Sequence, residues 1–157
     1  MSTAVLSRPR ATALPRLAGY GALAGLVAGI AMALWQMIDS AATSNGFWTP
    51  LNLCMAAGMI LHLAFSVLVG IVFITILFGL RRAGLGLLRT APGYIGAAIA
   101  GAALLYVVMI YLVLPWANPL MCHMTPRGPF FIGHLIYGLI FGLVSYPLAR
   151  RAAESST

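Results

Sequence analysis

The chain has 157 residues, of which 62% are hydrophobic and 7% are charged. This composition excludes an ordinary soluble domain, because so much apolar surface would remain exposed to water. The net charge is +7, and the basic residues cluster outside the apolar stretches. That clustering favours contact with anionic lipid headgroups over nucleic acid, so no nucleic-acid partner is expected.

In chain order, the chain begins with a polar segment, residues 1–16, which we expect to be a cytoplasmic tail. Apolar stretches follow at about 17–38, 57–80, 93–114 and 129–149, and a second cytoplasmic tail at 150–157 ends the chain. Each stretch has about the 20 residues that a helix needs to cross about 30 Å of hydrocarbon. We therefore predict an all-α integral membrane four-helix bundle, with one membrane domain over residues 17–149.

The first apolar stretch also admits a cleaved signal peptide, because it follows arginines and contains Ala31-Met32-Ala33. Its apolar run continues to Ile38, which is long for a signal peptide and favours a retained helix. The distribution of arginine then predicts the topology. Eight of the nine lie in the two tails and the central loop, whereas Arg127 lies in an outward loop. Both termini are predicted to be cytoplasmic.

The two halves of the chain resemble each other at an offset of 72 positions. Residues 62–70 read His-Leu-Ala-Phe-Ser-Val-Leu-Val-Gly, and residues 134–142 read His-Leu-Ile-Tyr-Gly-Leu-Ile-Phe-Gly. The same offset aligns a small-residue ridge in each half: Gly21, Gly25 and Gly29 with Gly93, Ala97 and Gly101. We predict a tandem repeat of a two-helix unit whose small residues allow close helix packing.

The repeated segments each begin with a histidine, His62 and His134, at similar depth in the second and fourth spans. One histidine on each of two facing helices is the arrangement by which membrane cytochromes hold a b-type haem. The alternative is that each histidine donates a hydrogen bond to a carbonyl or to Ser66 and keeps the helices in register. Both interpretations remain open from the sequence.

A second group of potential ligands lies in the outward loops: Cys54, Met121, Cys122, His123 and Met124. Thioether, thiolate and imidazole groups together suit Cu(I). The competing interpretations are a disulfide between Cys54 and Cys122, or methionines that pack apolar surface. Quinone-linked disulfide-forming proteins are also four-helix bundles, but this chain lacks the close cysteine pair that their chemistry requires.

Segments 46–52, Gly-Phe-Trp-Thr-Pro-Leu-Asn, and 134–138, His-Leu-Ile-Tyr-Gly, resemble uncharacterised small bacterial inner-membrane proteins with four spans. The resemblance implies a bacterial source and brings no activity or site residue with it. No nucleophile–base pair, phosphate-binding loop or carboxylate pair stands out, so we do not expect an enzyme.

The leading functional hypothesis is a non-enzymatic accessory or structural subunit of a larger respiratory or photosynthetic membrane complex. Its partners would be membrane lipids and other integral membrane subunits. The alternatives are a b-haem electron-transfer protein that uses His62 and His134, and a copper-handling protein of the periplasmic face. Among possible ligands, haem b, copper, lipid and quinone remain open.

Overall fold

The computed structural model describes residues 13–43 and 55–154, and every regular element in these ranges is helical. The helices are α1 (Ala13–Thr43), α2 (Met55–Arg82), α3 (Ala91–Val108), α4 (Leu114–Ala117), α5 (Pro119–Met124) and α6 (Arg127–Glu154). A 3-10 turn at Gly86–Arg89 precedes α3, and a π-helical turn at Met109–Val113 joins α3 to α4.

Within these described ranges, four helical segments are long and apolar enough to cross a membrane: Pro15–Asp39, Gly58–Arg82, Ala91–Ala117 and Arg127–Ala152. Large apolar side chains cover the outside of the bundle, among them Ile60, Leu104 and Leu112. A surface of this kind is suited to lipid and would not be tolerated in water. The prediction of an all-α, four-span bundle is confirmed, and the chain is a multi-pass membrane protein.

The four spans are not packed evenly. α1 lies against both α2 and α6, and α6 lies against α3, whereas α2 and α3 touch at few points. Going round the bundle, the order is therefore α2, α1, α6 and α3, with a loose side between α2 and α3. This open side determines where a cavity can form.

The tightest contact between two spans joins α1 to α2 and depends on glycine. A Cβ atom at Gly25 would collide with the carbonyl oxygen of Ser66 and lie 2.9 Å from the Cα atom of Gly70. A Cβ atom at Gly70 would in turn meet the backbone of Gly21 and Gly25. The two backbones can approach this closely because Gly21, Gly25 and Gly70 have no side chain, as in other small-residue interfaces of membrane helices.

In the second half of the chain, the closest contact between two spans is made by glycines of α6. A Cβ atom at Gly138 would lie 2.7 Å from the Cα atom of Ile99, and one at Gly142 would lie 3.0 Å from that of Ile95. The predicted ridge on α3 has other neighbours. Gly93 packs against Leu87 in the 3-10 turn, and a Cβ atom at Gly101 would lie 3.4 Å from the ring of Phe73. Ala97 packs against the buried core.

The π-helical turn in the third span follows from Pro115. Proline has no backbone N–H and disrupts the hydrogen bonding of the preceding turn. The N–H of Leu114 reaches back five residues to the carbonyl of Met109. In this wider pattern the carbonyl of Ile110 would pair with position 115, which offers no hydrogen. The Sγ atom of Cys122 lies 3.7 Å from that carbonyl oxygen and, as a thiol, donates to it.

We predict that Gly25→Ala destabilises the bundle, by roughly 1–3 kcal/mol of unfolding free energy, because α1 and α2 must separate to admit the methyl group. Gly19→Ala is the matched control, since a Cβ atom there has no neighbour within 4 Å in the part of the chain that the structure describes. Alanine should make the control neutral or slightly stabilising through its higher helix propensity. Titration with SDS in mixed micelles measures both changes, and equal effects of the two variants would contradict the proposed contact.

Candidate functional site

A cavity of about 230 Å³ lies inside the bundle, near the C-terminal end of α1 and the N-terminal ends of α2 and α6. All four spans contribute to its wall, and most of the wall is apolar. Its edge includes Leu61 and Phe65, whose side chains are also exposed on the outside of the bundle. The cavity therefore borders the lipid-facing surface, on the side where α2 and α3 lie apart.

Five polar side chains line this cavity: Gln36, His62, Ser66, His134 and Tyr137. No charged side chain belongs to the wall as far as the described residues define it. A mostly apolar wall with a few polar groups is the usual composition of a small-molecule site. The hydrogen bonds of each polar group determine what it can still offer to a ligand.

His62 joins α2 to α1. Its Nε2 atom lies 3.0 Å from the carbonyl oxygen of Gly29. A carbonyl oxygen only accepts hydrogen bonds, so Nε2 must carry the hydrogen in this contact. The bond fixes the register of the two helices close to the glycine interface.

His134 bonds within its own helix. Its Nδ1 atom lies 2.8 Å from the carbonyl oxygen of Phe130, one turn earlier in α6, and therefore carries the hydrogen. Nε2, at the far end of the neutral ring, is then an acceptor. The rings of Phe130 and Tyr106 meet the imidazole edge-on at 4.6 Å and 5.7 Å between centroids. These contacts hold the ring in one orientation.

Two hydroxyl groups of the cavity wall already donate hydrogen bonds to backbone carbonyls. The Tyr137 hydroxyl donates to the carbonyl of Ser66 at 2.8 Å, which links α6 to α2 across the bundle. The Ser66 hydroxyl donates to the carbonyl of His62 at 2.8 Å. Both groups are therefore satisfied by carbonyl oxygens of the spans.

Gln36 differs from the other four. Its side chain is 4% exposed, yet both its Nε2 and its Oε1 are buried without a hydrogen-bond partner among the described residues. The carboxamide lies beside α6, because a Cβ atom at Gly133 would be 3.5 Å from its Nε2. Leaving a buried polar group unsatisfied costs about 1–3 kcal/mol, so such a group in a cavity wall indicates a missing partner.

The structure places both His62 and His134 in the wall of one cavity. The cavity is smaller than the roughly 300–1,000 Å³ of typical cofactor and drug sites. It is larger than an engineered cavity of about 150 Å³ that holds one benzene molecule. The haem hypothesis, with His62 and His134 as ligands, remains a prediction.

The residues of the copper hypothesis are described only in part. Cys122 lies on α5 against the π-helical turn, and His123 beside it is exposed. Cys54 lies outside the described residues, as do the side chains of Met121 and Met124. Within the described part of the chain, no three His, Cys, Asp or Glu side chains are grouped so as to hold a metal ion. The copper site and the disulfide remain predictions.

Gln36 was not predicted as a site residue, although its position in the sequence indicates one. It is the one glutamine of the chain, and it stands inside the first apolar stretch. Polar side chains at such positions are costly in lipid and commonly have a function.

No protein family, curated protein or solved structure matches this chain. The function is therefore inferred from the geometry of the cavity and from its hydrogen bonds.

We predict that Gln36→Leu stabilises the purified protein once it has been stripped of bound lipid-like molecules. Leucine has a similar size and removes two unsatisfied polar atoms, which should raise the unfolding free energy by about 1–3 kcal/mol. Met37→Leu, on the exposed face of the same helix, is the control and should change little. SDS titration measures both variants. A loss of stability in Gln36→Leu would mean that the carboxamide has a partner.

Proposed function

We propose that this protein is a non-enzymatic membrane protein that binds a small lipophilic molecule in the cavity beside α2 and α3. The observation that carries the proposal is Gln36, an unpaired carboxamide in an otherwise mostly apolar wall. Such a group persists at a cost to stability, and a ligand that pairs with it would remove that cost. Sites of this composition, between the helices of a bundle, are common binding sites.

The size of the cavity limits the ligand. A volume of about 230 Å³ exceeds the roughly 150 Å³ that accepts benzene, so one substituted ring or a short branched chain fits. The few contacts between α2 and α3 provide a route from the bilayer. A longer apolar tail could stay between these helices in contact with lipid while the polar end lies inside.

We also propose the finer architecture predicted from the sequence: a tandem repeat, both termini in the cytoplasm and a bacterial inner membrane. Close packing within each half supports the repeat, since Ser66 and Gly70 of α2 correspond at the offset of 72 to Gly138 and Gly142 of α6. With this topology the cavity lies in the outer half of the membrane, towards the periplasm.

The role of an accessory subunit remains compatible with ligand binding. If the chain serves a larger inner-membrane complex, mild detergent extraction should release it together with larger subunits. A chain that migrates alone as a stable monomer would count against this role. The haem hypothesis makes a separate prediction: a reduced-minus-oxidised spectrum with a b-type band that His62→Ala or His134→Ala removes.

To test ligand binding, we compare Leu105→Trp with Leu104→Trp. Leu105 lines the cavity, so the indole ring should fill the space and exclude a ligand. Leu104 is 63% exposed on the outside of the same helix, so the same substitution there should leave the cavity unchanged. Native mass spectrometry of protein extracted directly from its membranes measures the bound molecule.

We expect one small molecule to be retained by the wild type and by Leu104→Trp and to be lost from Leu105→Trp. If the wild type carries no small molecule, or if both variants retain it equally, ligand binding in this cavity is refuted. Circular dichroism and gel filtration of the two variants verify that both are folded.

A further inference from the structure

The polar side chains of the cavity wall differ in the hydrogen-bond donors and acceptors that they can offer to a ligand. The Nε2 hydrogen of His62 and the hydroxyl hydrogens of Ser66 and Tyr137 are directed to backbone carbonyls. His134 offers an acceptor, Nε2, because its one hydrogen is used at Nδ1. Gln36 offers both an N–H donor and a carbonyl acceptor.

An acceptor nitrogen in an apolar cavity requires a ligand that donates. A ketone, ether or quinone oxygen would place its lone pairs against those of Nε2, which is unfavourable where no water can intervene. A hydroxyl group supplies the hydrogen. Gln36 can bond an oxygen of either kind because its carboxamide donates as well as accepts. The wall carries no charged side chain among the described residues, so the ligand should be neutral.

The wall also favours an aromatic ligand. Phe65, Phe130 and Tyr137 all contribute to it, and aromatic side chains pack well against a ring in edge-on or offset geometry. The volume admits one substituted six-membered ring. A hydroxyl group on an aromatic ring combines the required donor, size and neutrality.

We infer that the cavity selects a phenolic or hydroquinone head group over the corresponding quinone. The ligand hydroxyl donates to Nε2 of His134, and Gln36 bonds an oxygen of the same head group. An apolar tail, where present, leaves between α2 and α3. This inference rests on the proposed ligand-binding function and narrows it to a class of ligand. It involves binding alone and no transfer of electrons or protons.

The test uses the full chain in nanodiscs of synthetic phosphatidylcholine that contain no quinone. Three probes with the same short decyl tail are titrated by calorimetry: a benzohydroquinone, its quinone and its dimethyl ether, with reductant present for the first. We expect the hydroquinone to bind about tenfold more tightly than the other two, as one additional buried hydrogen bond allows. Equal affinity, or tighter binding of the quinone, overturns the inference.

Two substitutions test the assigned contacts. His134→Phe keeps a ring against Phe130 and Tyr106 but removes the acceptor, so the preference for hydroquinone should disappear. Gln36→Leu should weaken binding of the hydroquinone about tenfold. Leu104→Trp is the control and should bind all probes like the wild type. An undiminished preference in folded His134→Phe refutes the role of Nε2, and the wild-type comparison stands even if that variant does not fold.

The results of these experiments also distinguish the preference for hydroquinone from the proposed ligand-binding function on which it rests. If the native membrane protein retains a small molecule that Leu105→Trp loses, but the hydroquinone does not bind preferentially, the cavity is a binding site for another class of ligand. If neither a native molecule nor any probe is bound, both proposals are wrong.

Discussion

The structure depends on one constraint: inside hydrocarbon no water is available to complete a hydrogen bond, so polar groups must find partners within the protein. Several polar side chains of the described spans meet this requirement by directing their hydrogens to backbone carbonyls of their own or another helix. His62 bonds Gly29, Tyr137 bonds Ser66, and the indole N–H of Trp35 bonds the carbonyl of Pro129 at 2.9 Å. Gln36 departs from this pattern, and that departure is informative because the other cavity groups conform to it.

Uneven packing explains why the cavity lies where it does. Glycines allow α1 to pack closely on α2 and α6 to pack closely on α3, and α1 also packs on α6. Neighbouring helices are therefore in close contact on three sides of the bundle. On the fourth side, Phe73 projects from α2 towards α6, where its ring meets that of Phe141 edge-on at 5.8 Å. A Cβ atom at Gly101 of α3 would lie 3.4 Å from the same ring, so Phe73 stands between α2 and α3 at this level. Above Phe73, the wall comes from residues such as Val69 and Met109, which leave space.

The sequence predicted the spans because lipid imposes length and composition on a helix, and both can be read from residue order. It also singled out His62 and His134, which the structure places on one cavity. It did not predict that α6 rather than α3 carries the close glycine contact of the second half, because the rotation of a uniformly apolar helix leaves no periodic pattern. The partners of the histidines and the isolation of Gln36 depend on distances between helices, which no local pattern encodes.

The two histidines show how similar sequences acquire different chemistry. His62 lies on α2, which packs closely against α1. It therefore reaches the carbonyl oxygen of Gly29 on α1 and donates its Nε2–H to it. His134 instead turns back to its own helix, and its ring lies between Phe130 and Tyr106. Thus Nε2 of His62 donates to a neighbouring helix, whereas Nε2 of His134 remains a hydrogen-bond acceptor. A symmetric pair would suit a symmetric ligand between two equal nitrogens, whereas this unequal pair favours a ligand with a directional hydroxyl group.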